Sequence, residues 1–239
     1  MLVVSGVSKS FRGLKAVSNA SFEVAQGAIV GLIGPNGAGK TTLFNVVAGV
    51  YACDTGEVRF AGRRIDGLRP DQVCSAGIGR TFQIVKPFAG LSVLDNVIVG
   101  ALQRSKDVSA AKSYAAEIVE RLGLGAKRDL PASSLTLPDR KRLEVARALA
   151  TRPQLLLLDE VMAGLRPTEC DQMVEIFREL NRREGLTILL IEHVMRAVMA
   201  LAQHIVVLHH GEIIARGAPA DVVRDPAVLE CYLGEETQV

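Results

Sequence analysis

Residues Gly34–Thr41, with the sequence GPNGAGKT, have a spacing that can bind a chain of phosphate groups. In the pattern Gly-x-x-x-x-Gly-Lys-Ser/Thr, glycines let backbone N–H groups curl around phosphate oxygens, while the lysine neutralises charge and the hydroxyl can bind Mg²⁺. The apolar run GAIVGLIG precedes this phosphate loop and the helical spacing of KTTLFNVVAGV follows it, which favours a ligand loop over a glycine-rich connector. The residues predicted to surround the phosphates are Gly34, Pro35, Asn36, Gly37, Ala38, Gly39, Lys40, Thr41 and Thr42.

Two carboxylates, Asp159 and Glu160, end the segment QLLLLDE. Its leucines predict a buried strand, and ligands of an open parallel sheet bind at the carboxyl ends of the strands. We expect Asp159 to hold Mg²⁺ through water and Glu160 to polarise the attacking water. Alternatively, one of the two acids caps the following turn.

His193 ends another apolar segment, LTILLIEH. A single histidine in such a place is more often structural. Its strand, however, is expected to lie beside the Asp159 strand and to end at the same edge of the sheet, so we predict a contact with the γ-phosphate. His204, His209 and His210 have no such placement and are interpreted as structural.

The elements that carry these residues alternate between strands and helices. Alternating apolar residues in LVVSGVSKSF and AVSNASFEVAQG predict two strands, and the pattern from Ile84 to Ala150 is mainly helical. After residue 150, buried strands and helices alternate, which indicates an α/β fold with a parallel sheet covered by helices. We therefore predict one domain, residues 1–239, with a core formed by 1–83 and 151–239 and a helical insertion at 84–150.

Composition narrows the classes of function. The chain has 239 residues, 49% of them hydrophobic, and a net charge of +2, which gives no reason to expect binding to nucleic acid. Four cysteines without close pairs predict free thiols in a reducing compartment. The first residues do not resemble a signal peptide, and the longest apolar segment, 186–208, contains charged residues. We expect any membrane contact to pass through another protein.

Taken together, these residues resemble the ATP-binding cassette ATPases along essentially the whole chain. The segment GIGRTFQIVKPFAGLSVLDNVIVG resembles the glutamine loop and following helix of that family. The resemblance implies that Gln83 lies near the metal, with Thr41 and Asp159, and faces a membrane subunit. It also implies that Phe11 stacks on adenine and that His193 is the switch histidine. The implied fold is a RecA-like P-loop NTPase core with an N-terminal antiparallel β subdomain and an inserted α-helical subdomain.

Four further sequence segments resemble one subfamily of these ATPases. The stretches RTFQ, FAGLSVLDNV, AGLRPTE and GEIIARGAPADVVRDPAVLECYLGE resemble the subunits that serve branched-chain amino acid importers. This resemblance implies ATP and Mg²⁺ as cofactors, two membrane-spanning permease subunits as partners and, indirectly, an extracytoplasmic solute-binding protein. It also implies a peripheral position at the cytoplasmic face of the inner (plasma) membrane, through the permease subunits.

One departure from the family concerns the segment LTLPD, Leu135–Asp139, here called the signature segment. In the family, two ATPases sandwich two ATP molecules, and the Leu-Ser-Gly-Gly-Gln segment of one chain faces the phosphate loop of the other. Thr136 keeps a hydroxyl at the serine position, but both glycines are lost, and Pro138 has no N–H to donate. We expect a heterodimer with a second related ATPase, in which this chain's phosphate loop forms the more active site.

A structural interpretation of the same segment is that it begins a helix. Thr136 would then be the N-cap, Pro138 would lie in the first turn, and Asp139 would be the acid of a capping box. Both interpretations can hold together.

Other nucleotide-dependent functions are compared with this interpretation. Cassette ATPases of DNA repair need a long coiled-coil insertion, those of translation usually carry two cassettes, and a GTPase would need an Asn-Lys-x-Asp motif that is absent here. A regulatory subunit without catalysis is disfavoured by Glu160 and His193 but favoured by the altered signature segment. The lipopolysaccharide-export ATPase resembles this chain along much of its length. The cargo is not encoded in this chain.

Overall fold

The computed structural model describes the backbone of residues 1–236 and the side chains of residues 1–232. Residues 237–239, the end of the predicted core range 151–239, lie outside the described residues. The strands described are β1 (Leu2–Phe11), β2 (Leu14–Val24), β3 (Ile29–Ile33), β4 (Thr55–Phe60), β5 (Arg63–Arg64), β6 (Ile78–Arg80), β7 (Leu155–Asp159), β8 (Thr187–Ile191), β9 (His204–His209) and β10 (Glu212–Gly217).

The strands form two sheets. The first is antiparallel, in the order β2-β1-β4-β5. The second has the order β10-β9-β3-β8-β7-β6, with β10 antiparallel to β9 and the other strands parallel. Every residue of β3, β7 and β8 is buried, as expected for parallel strands covered on both faces. The predicted α/β class is confirmed.

The helices lie between and around these strands. They are α1 (Lys40–Val47), α2 (Pro70–Ala76), α3 (Val93–Ala101), α4 (Val108–Arg121), α5 (Leu137–Ala150), α6 (Pro167–Glu184), α7 (Met195–Leu201), α8 (Pro219–Val222) and α9 (Pro226–Glu236). Within the described residues, no helix is both long enough and apolar enough to span a membrane.

Two of the three apolar clusters among the described residues join the sheets and helices around the predicted site. Phe44 on α1 belongs to a cluster that also contains Phe60 of β4 and Leu32 of β3, so α1 joins the two sheets. A second cluster joins the helices α3, α4 and α5, through buried residues such as Val97 and Ile118, to β7 and β8. The helices that follow β6 therefore pack on the strands that end at the predicted site. The exact division at 84–150 stays a prediction.

Candidate functional site

The phosphate loop connects the end of β3 to the first residue of α1. Gly39 is the N-cap of α1 with φ 101°, and Gly34 has φ 148°, both in the region that favours glycine. A Cβ atom at Gly34 would lie 1.9 Å from the carbonyl oxygen of Leu208, and one at Gly39 would lie 2.2 Å from that of Ala16. These two glycines are therefore required by packing, and they allow the backbone N–H groups at the start of α1 to face a ligand.

The hairpin between β9 and β10 packs against this loop and hydrogen-bonds to it. The N–H of Gly211 donates to the carbonyl of Ala38 at 2.9 Å, and the carbonyl of Gly211 accepts from Ser18 at 2.8 Å. The ammonium of Lys40 is buried and donates to the carbonyls of Gly34 at 2.6 Å and Pro35 at 2.7 Å. The Lys40 side chain thus folds back onto the phosphate loop, where it is predicted to neutralise the charge of the phosphates.

A cleft of about 490 Å³ opens over the loop. This volume lies inside the range of roughly 300–1,000 Å³ that is usual for small-molecule sites. The cleft is lined by Leu14, Lys15, Ala16, Asn36, Gly37, Ala38, Gly39, Lys40, Thr41, Thr42, Gln83, Glu160, His193 and His210. It therefore brings most of the predicted phosphate-binding residues together with Gln83, Glu160 and His193. His210, for which the sequence indicates only a structural role, also lines the cleft.

Asp159 lies at the carboxyl end of β7 with 1% of its surface exposed. Its Oδ2 accepts a hydrogen bond from the guanidinium of Arg80 at 3.0 Å. Burial raises the pKa of the Asp159 carboxyl, and Arg80 opposes that rise. The other oxygen, Oδ1, is buried and has no hydrogen-bond partner within residues 1–232. An unused buried carboxylate oxygen at the carboxyl end of a parallel strand suits a hard cation such as Mg²⁺.

Glu160, the next residue, joins the other two predicted residues. Its Oε2 accepts from the Nε2 of Gln83 at 2.6 Å, and its Oε1 lies 2.6 Å from the Nε2 of His193. Because β7 and β8 are parallel neighbours with Asp159 opposite Ile191, the residues just after each strand meet at one edge. The predicted contact of His193 with a γ-phosphate stays a prediction, since the ring is placed here against Glu160.

Buried charged residues that the sequence did not predict lie behind this cluster. Lys141 on α5 donates to the backbone carbonyl of Glu160 at 3.0 Å, and the buried Glu192 accepts from the N–H of Met162 at 2.8 Å. Burial raises the pKa of Glu192 to about 7. The one available signal was a charged residue inside an otherwise apolar stretch, as with Glu192 at the end of LTILLIEH.

Phe11, the predicted adenine-stacking residue, ends β1 and does not line the cleft. Its ring is 39% exposed and packs edge-on against Tyr51, with 5.1 Å between the ring centroids. The ammonium of Lys9 lies 5.6 Å from the same ring. The stacking role of Phe11 stays a prediction, and Tyr51 is an aromatic neighbour that the sequence did not reveal.

The signature segment begins α5. Thr136 is the N-cap, as predicted, and Pro138 is in the first turn. The capping-box prediction is wrong, because Thr136 accepts no backbone N–H and instead donates to Asp139 Oδ2 at 2.7 Å. Lys127 donates to the same oxygen at 2.5 Å. Although burial opposes it, these bonds keep the pKa of Asp139 below its usual value. The charge of Asp139 is therefore paired with Lys127 within the chain.

Comparison with known proteins gives the following matches. The model of the ABC transporter family matches residues 17–163, and that of the branched-chain amino acid ATP-binding cassette transporter matches residues 212–237. The high-affinity branched-chain amino acid transport ATP-binding protein LivG of Salmonella typhimurium is 39% identical over 98% of each chain. The lipopolysaccharide export system ATP-binding protein LptB of Acidithiobacillus ferridurans is 33% identical over 100% of this chain and 99% of its own.

Among solved structures, the ADP conformation of MJ1267, an ATP-binding cassette of an ABC transporter, superposes with a TM-score of 0.89. It is 32% identical, over 98% of each chain. The likeness therefore extends over both sheets and the helices inserted between β6 and β7.

Proposed function

Since this chain belongs to the ABC transporter family, we propose that it is the ATP-hydrolysing subunit of an importer for branched-chain amino acids or related small organic solutes. As a member of the family, the chain binds nucleotide and is an ATPase. The proposal rests above all on one observation: Glu160, held by Gln83 and His193, lines the same cleft as Lys40.

Each group at the cleft has a chemical role in this proposal. The loop amides and Lys40 bind the phosphates of ATP, and Thr41, Gln83 and Asp159 surround Mg²⁺. When bound, Mg²⁺ supplies positive charge against the phosphate oxygens. Its site is supported by the unused oxygen of Asp159.

Hydrolysis needs a water molecule oriented toward the γ-phosphate. Glu160 accepts a proton or a hydrogen bond from this water, as a carboxylate held by two neighbours is suited to do. His193 is more exposed than Glu160, with side-chain exposures of 43% and 12%, so it can contact the γ-phosphate while it orients the carboxylate. Phe11 stacks on the adenine, with Tyr51 behind it.

The comparisons favour branched-chain amino acids over lipopolysaccharide as the substance that the complex transports. LivG is 39% identical to the chain and LptB is 33% identical. The match of residues 212–237 to the branched-chain amino acid transporter model supports the same choice. A regulatory cassette without catalysis is disfavoured, because the hydrogen-bonded group around Glu160 is complete.

Two permease subunits attach the chain to the cytoplasmic face of the inner membrane in this proposal, and an extracytoplasmic solute-binding protein delivers the solute to them. A mostly apolar groove of about 250 Å³, lined in part by Val50, Val73, Phe82 and Val99, is open beside the loop that carries Gln83. Phe88 is 45% exposed on the same loop. A short cytoplasmic helix of a permease subunit would cover these apolar side chains.

The second ATPase of the complex is proposed to be a different, related chain. Pro138 and Leu137 still stand where the family has glycines, so this signature segment offers fewer backbone donors to a partner's nucleotide. The hydroxyl of Thr136 is engaged with Asp139. A partner with an intact signature segment would face this chain's phosphate loop.

The proposal is tested by isolating the chain from native membranes, identifying its bound subunits by mass spectrometry and reconstituting the complex in liposomes. We expect two permease subunits, a second ATPase, and ATP-driven leucine uptake that Lys40→Ala abolishes. Uptake should require the solute-binding protein. A complex that moves lipopolysaccharide, or that hydrolyses ATP without transporting any branched-chain amino acid, would contradict the proposed cargo.

A further inference from the structure

Lys141 is a buried cation with no part in the roles described above. It lies in the second turn of α5 with 4% of its surface exposed. Its ammonium donates to the backbone carbonyl of Glu160 at 3.0 Å. The helix that begins at the signature segment is therefore tied directly to the residue beside the cleft.

The backbone of Glu160 needs such support. Its φ of 51° lies in the left-handed region that residues with side chains rarely adopt. The N–H of Glu160 donates to Ile191 at 2.9 Å, and its carbonyl accepts from Ala163 at 3.2 Å as well as from Lys141. Ile191 and Ala163 belong to the sheet edge and the following turn, whereas Lys141 comes from the inserted helices. The hydrogen bond from Lys141 thus connects α5 to the backbone of Glu160.

Glu192 supplies a countercharge to this lysine. It is 2% exposed and follows β8 just as Glu160 follows β7. Burial lowers the pKa of Lys141, and the carboxylates of Glu192 and Glu160 oppose that effect. These carboxylates favour the ammonium form of Lys141, and a charged donor makes a stronger hydrogen bond to a carbonyl than a neutral one does.

The same helix also holds the loop that carries Gln83. Glu144 of α5 is buried and accepts a hydrogen bond from the backbone of Phe82, and Arg147 donates to the carbonyl of Lys86 at 3.2 Å. These contacts flank Gln83, whose amide holds one oxygen of Glu160. One face of α5 therefore supports both the backbone of Glu160 and one of its side-chain partners.

We propose that Lys141 is a positioning residue for ATP hydrolysis, which fixes the backbone of Glu160 and makes the direction of its carboxylate follow the position of α5. This inference rests on the role of Glu160 in the proposed function. A displacement of α5 relative to β7 pulls on the carbonyl of Glu160 through one hydrogen bond. The approach of a partner subunit to the signature segment can therefore alter catalysis within this chain's own site.

The test compares Lys141→Met, Lys141→Arg and the matched control Lys112→Met, which removes an exposed lysine of α4, in the assembled transporter. We expect Lys141→Met to lower kcat at least about tenfold while KM and the affinity for an ATP analogue change less than about threefold. Lys141→Arg keeps a donor and should recover most of the turnover. Lys112→Met should leave kcat unchanged.

A double-mutant cycle separates positioning from a general effect on folding. In the Glu160→Gln background, adding Lys141→Met should lower turnover by less than about twofold, because both changes act on one carboxylate. An undiminished loss in that background, or a normal kcat for Lys141→Met, overturns the inference. If Lys141→Met does not fold, Lys141→Gln, whose amide can donate over a shorter reach, replaces it in the cycle.

The same cycle shows which assignment has failed. If Glu160→Gln alone leaves turnover unchanged, the role of Glu160 is wrong, and the inference falls with it. If Glu160→Gln lowers turnover and Lys141→Met does not, only the inference about Lys141 is overturned.

Discussion

The Nε2 atom of His193 lies 2.6 Å from the Oε1 atom of Glu160, across two neighbouring parallel strands. Each residue follows its strand at the same edge of the sheet, and Gln83 holds the second oxygen of the carboxylate. Glu160 is thereby held from two sides, with the more exposed histidine toward the cleft. Because both oxygens are hydrogen-bonded, the Glu160 carboxylate is fixed in one orientation.

Replacing Glu160 by glutamine should separate binding from hydrolysis. The amide has the shape of the carboxylate but is a poor base, and positioned bases contribute roughly 10²- to 10⁴-fold to rates. We expect Glu160→Gln to bind ATP and to lower turnover of the assembled complex at least about tenfold. Phosphate release and binding of an ATP analogue measure the two effects. The exposed Glu175→Gln is the control, and an unchanged turnover for Glu160→Gln would remove this residue from the mechanism.

An acid on the exposed loop should weaken attachment to the permease. Phe88 is 45% exposed, and Arg147 lies over its ring at 4.9 Å. We expect Phe88→Asp to shift the chain from the membrane fraction to the supernatant and to reduce transport, because a carboxylate would be buried against an apolar helix. A cysteine placed at Pro87 should cross-link to a permease subunit. Val108→Asp, on an exposed apolar residue of α4, controls for the added charge. Normal attachment and transport by Phe88→Asp would exclude this loop as the docking surface.

The two nucleotide sites of the proposed heterodimer should respond unequally to loss of their lysines. Lys40→Ala disables the site that faces the partner's signature segment, and we expect it to abolish turnover. The equivalent change in the partner disables the site that faces Leu137 and Pro138, and a measurable fraction should remain, since donors to a transferring phosphoryl group matter by orders of magnitude. Steady-state turnover of each single variant measures the asymmetry. Equal losses, or full activity of this chain as a homodimer, would show that the altered segment is not defective.

Stability should depend on pH through Glu192. Burial raises its pKa from 4.5 to about 7, so in this window the native chain keeps a proton that the unfolded chain has released. Stability therefore falls as the pH rises from 4.5 through about 7, and the loss is complete above that value. Glu192→Gln removes this titration and should stabilise the chain by on the order of 1–3 kcal/mol at about pH 8, with little effect near pH 4.5.

Denaturant unfolding at about pH 5 and about pH 8 measures this difference. The exposed Glu175→Gln should show no such dependence on pH. A constant difference between Glu192→Gln and the unsubstituted chain at both pH values would mean that Glu192 stays ionised throughout.

The parts of the site that sequence predicts are those built from local signals. The spacing of glycines predicts the phosphate loop. Apolar runs that end in polar residues predict the positions of Asp159, Glu160 and His193. Their convergence follows because parallel strands end at one edge. The helical character of the segment before Ala150 is likewise set by local periodicity.

The parts that sequence does not predict depend on contacts between distant segments. Arg80 meets Asp159 across 79 residues and belongs to a strand of only three residues, which is too short for a periodicity signal. Lys141 resembles any polar residue of an amphipathic helix until tertiary packing buries it against Glu160. The charge of Asp139 is likewise decided by Lys127, which lies in a separate turn. Such pairings depend on the packing of whole elements rather than on local preference.

The hairpin that supports the phosphate loop also affects the order in which the chain matures during synthesis. The loop is synthesised early, but the groups that shape it, the carbonyl of Leu208 and the N–H of Gly211, come much later in the chain. A nascent chain that stops before β9 has the loop sequence without its support. The phosphate loop therefore gains its native support only after β9 and β10 have been synthesised.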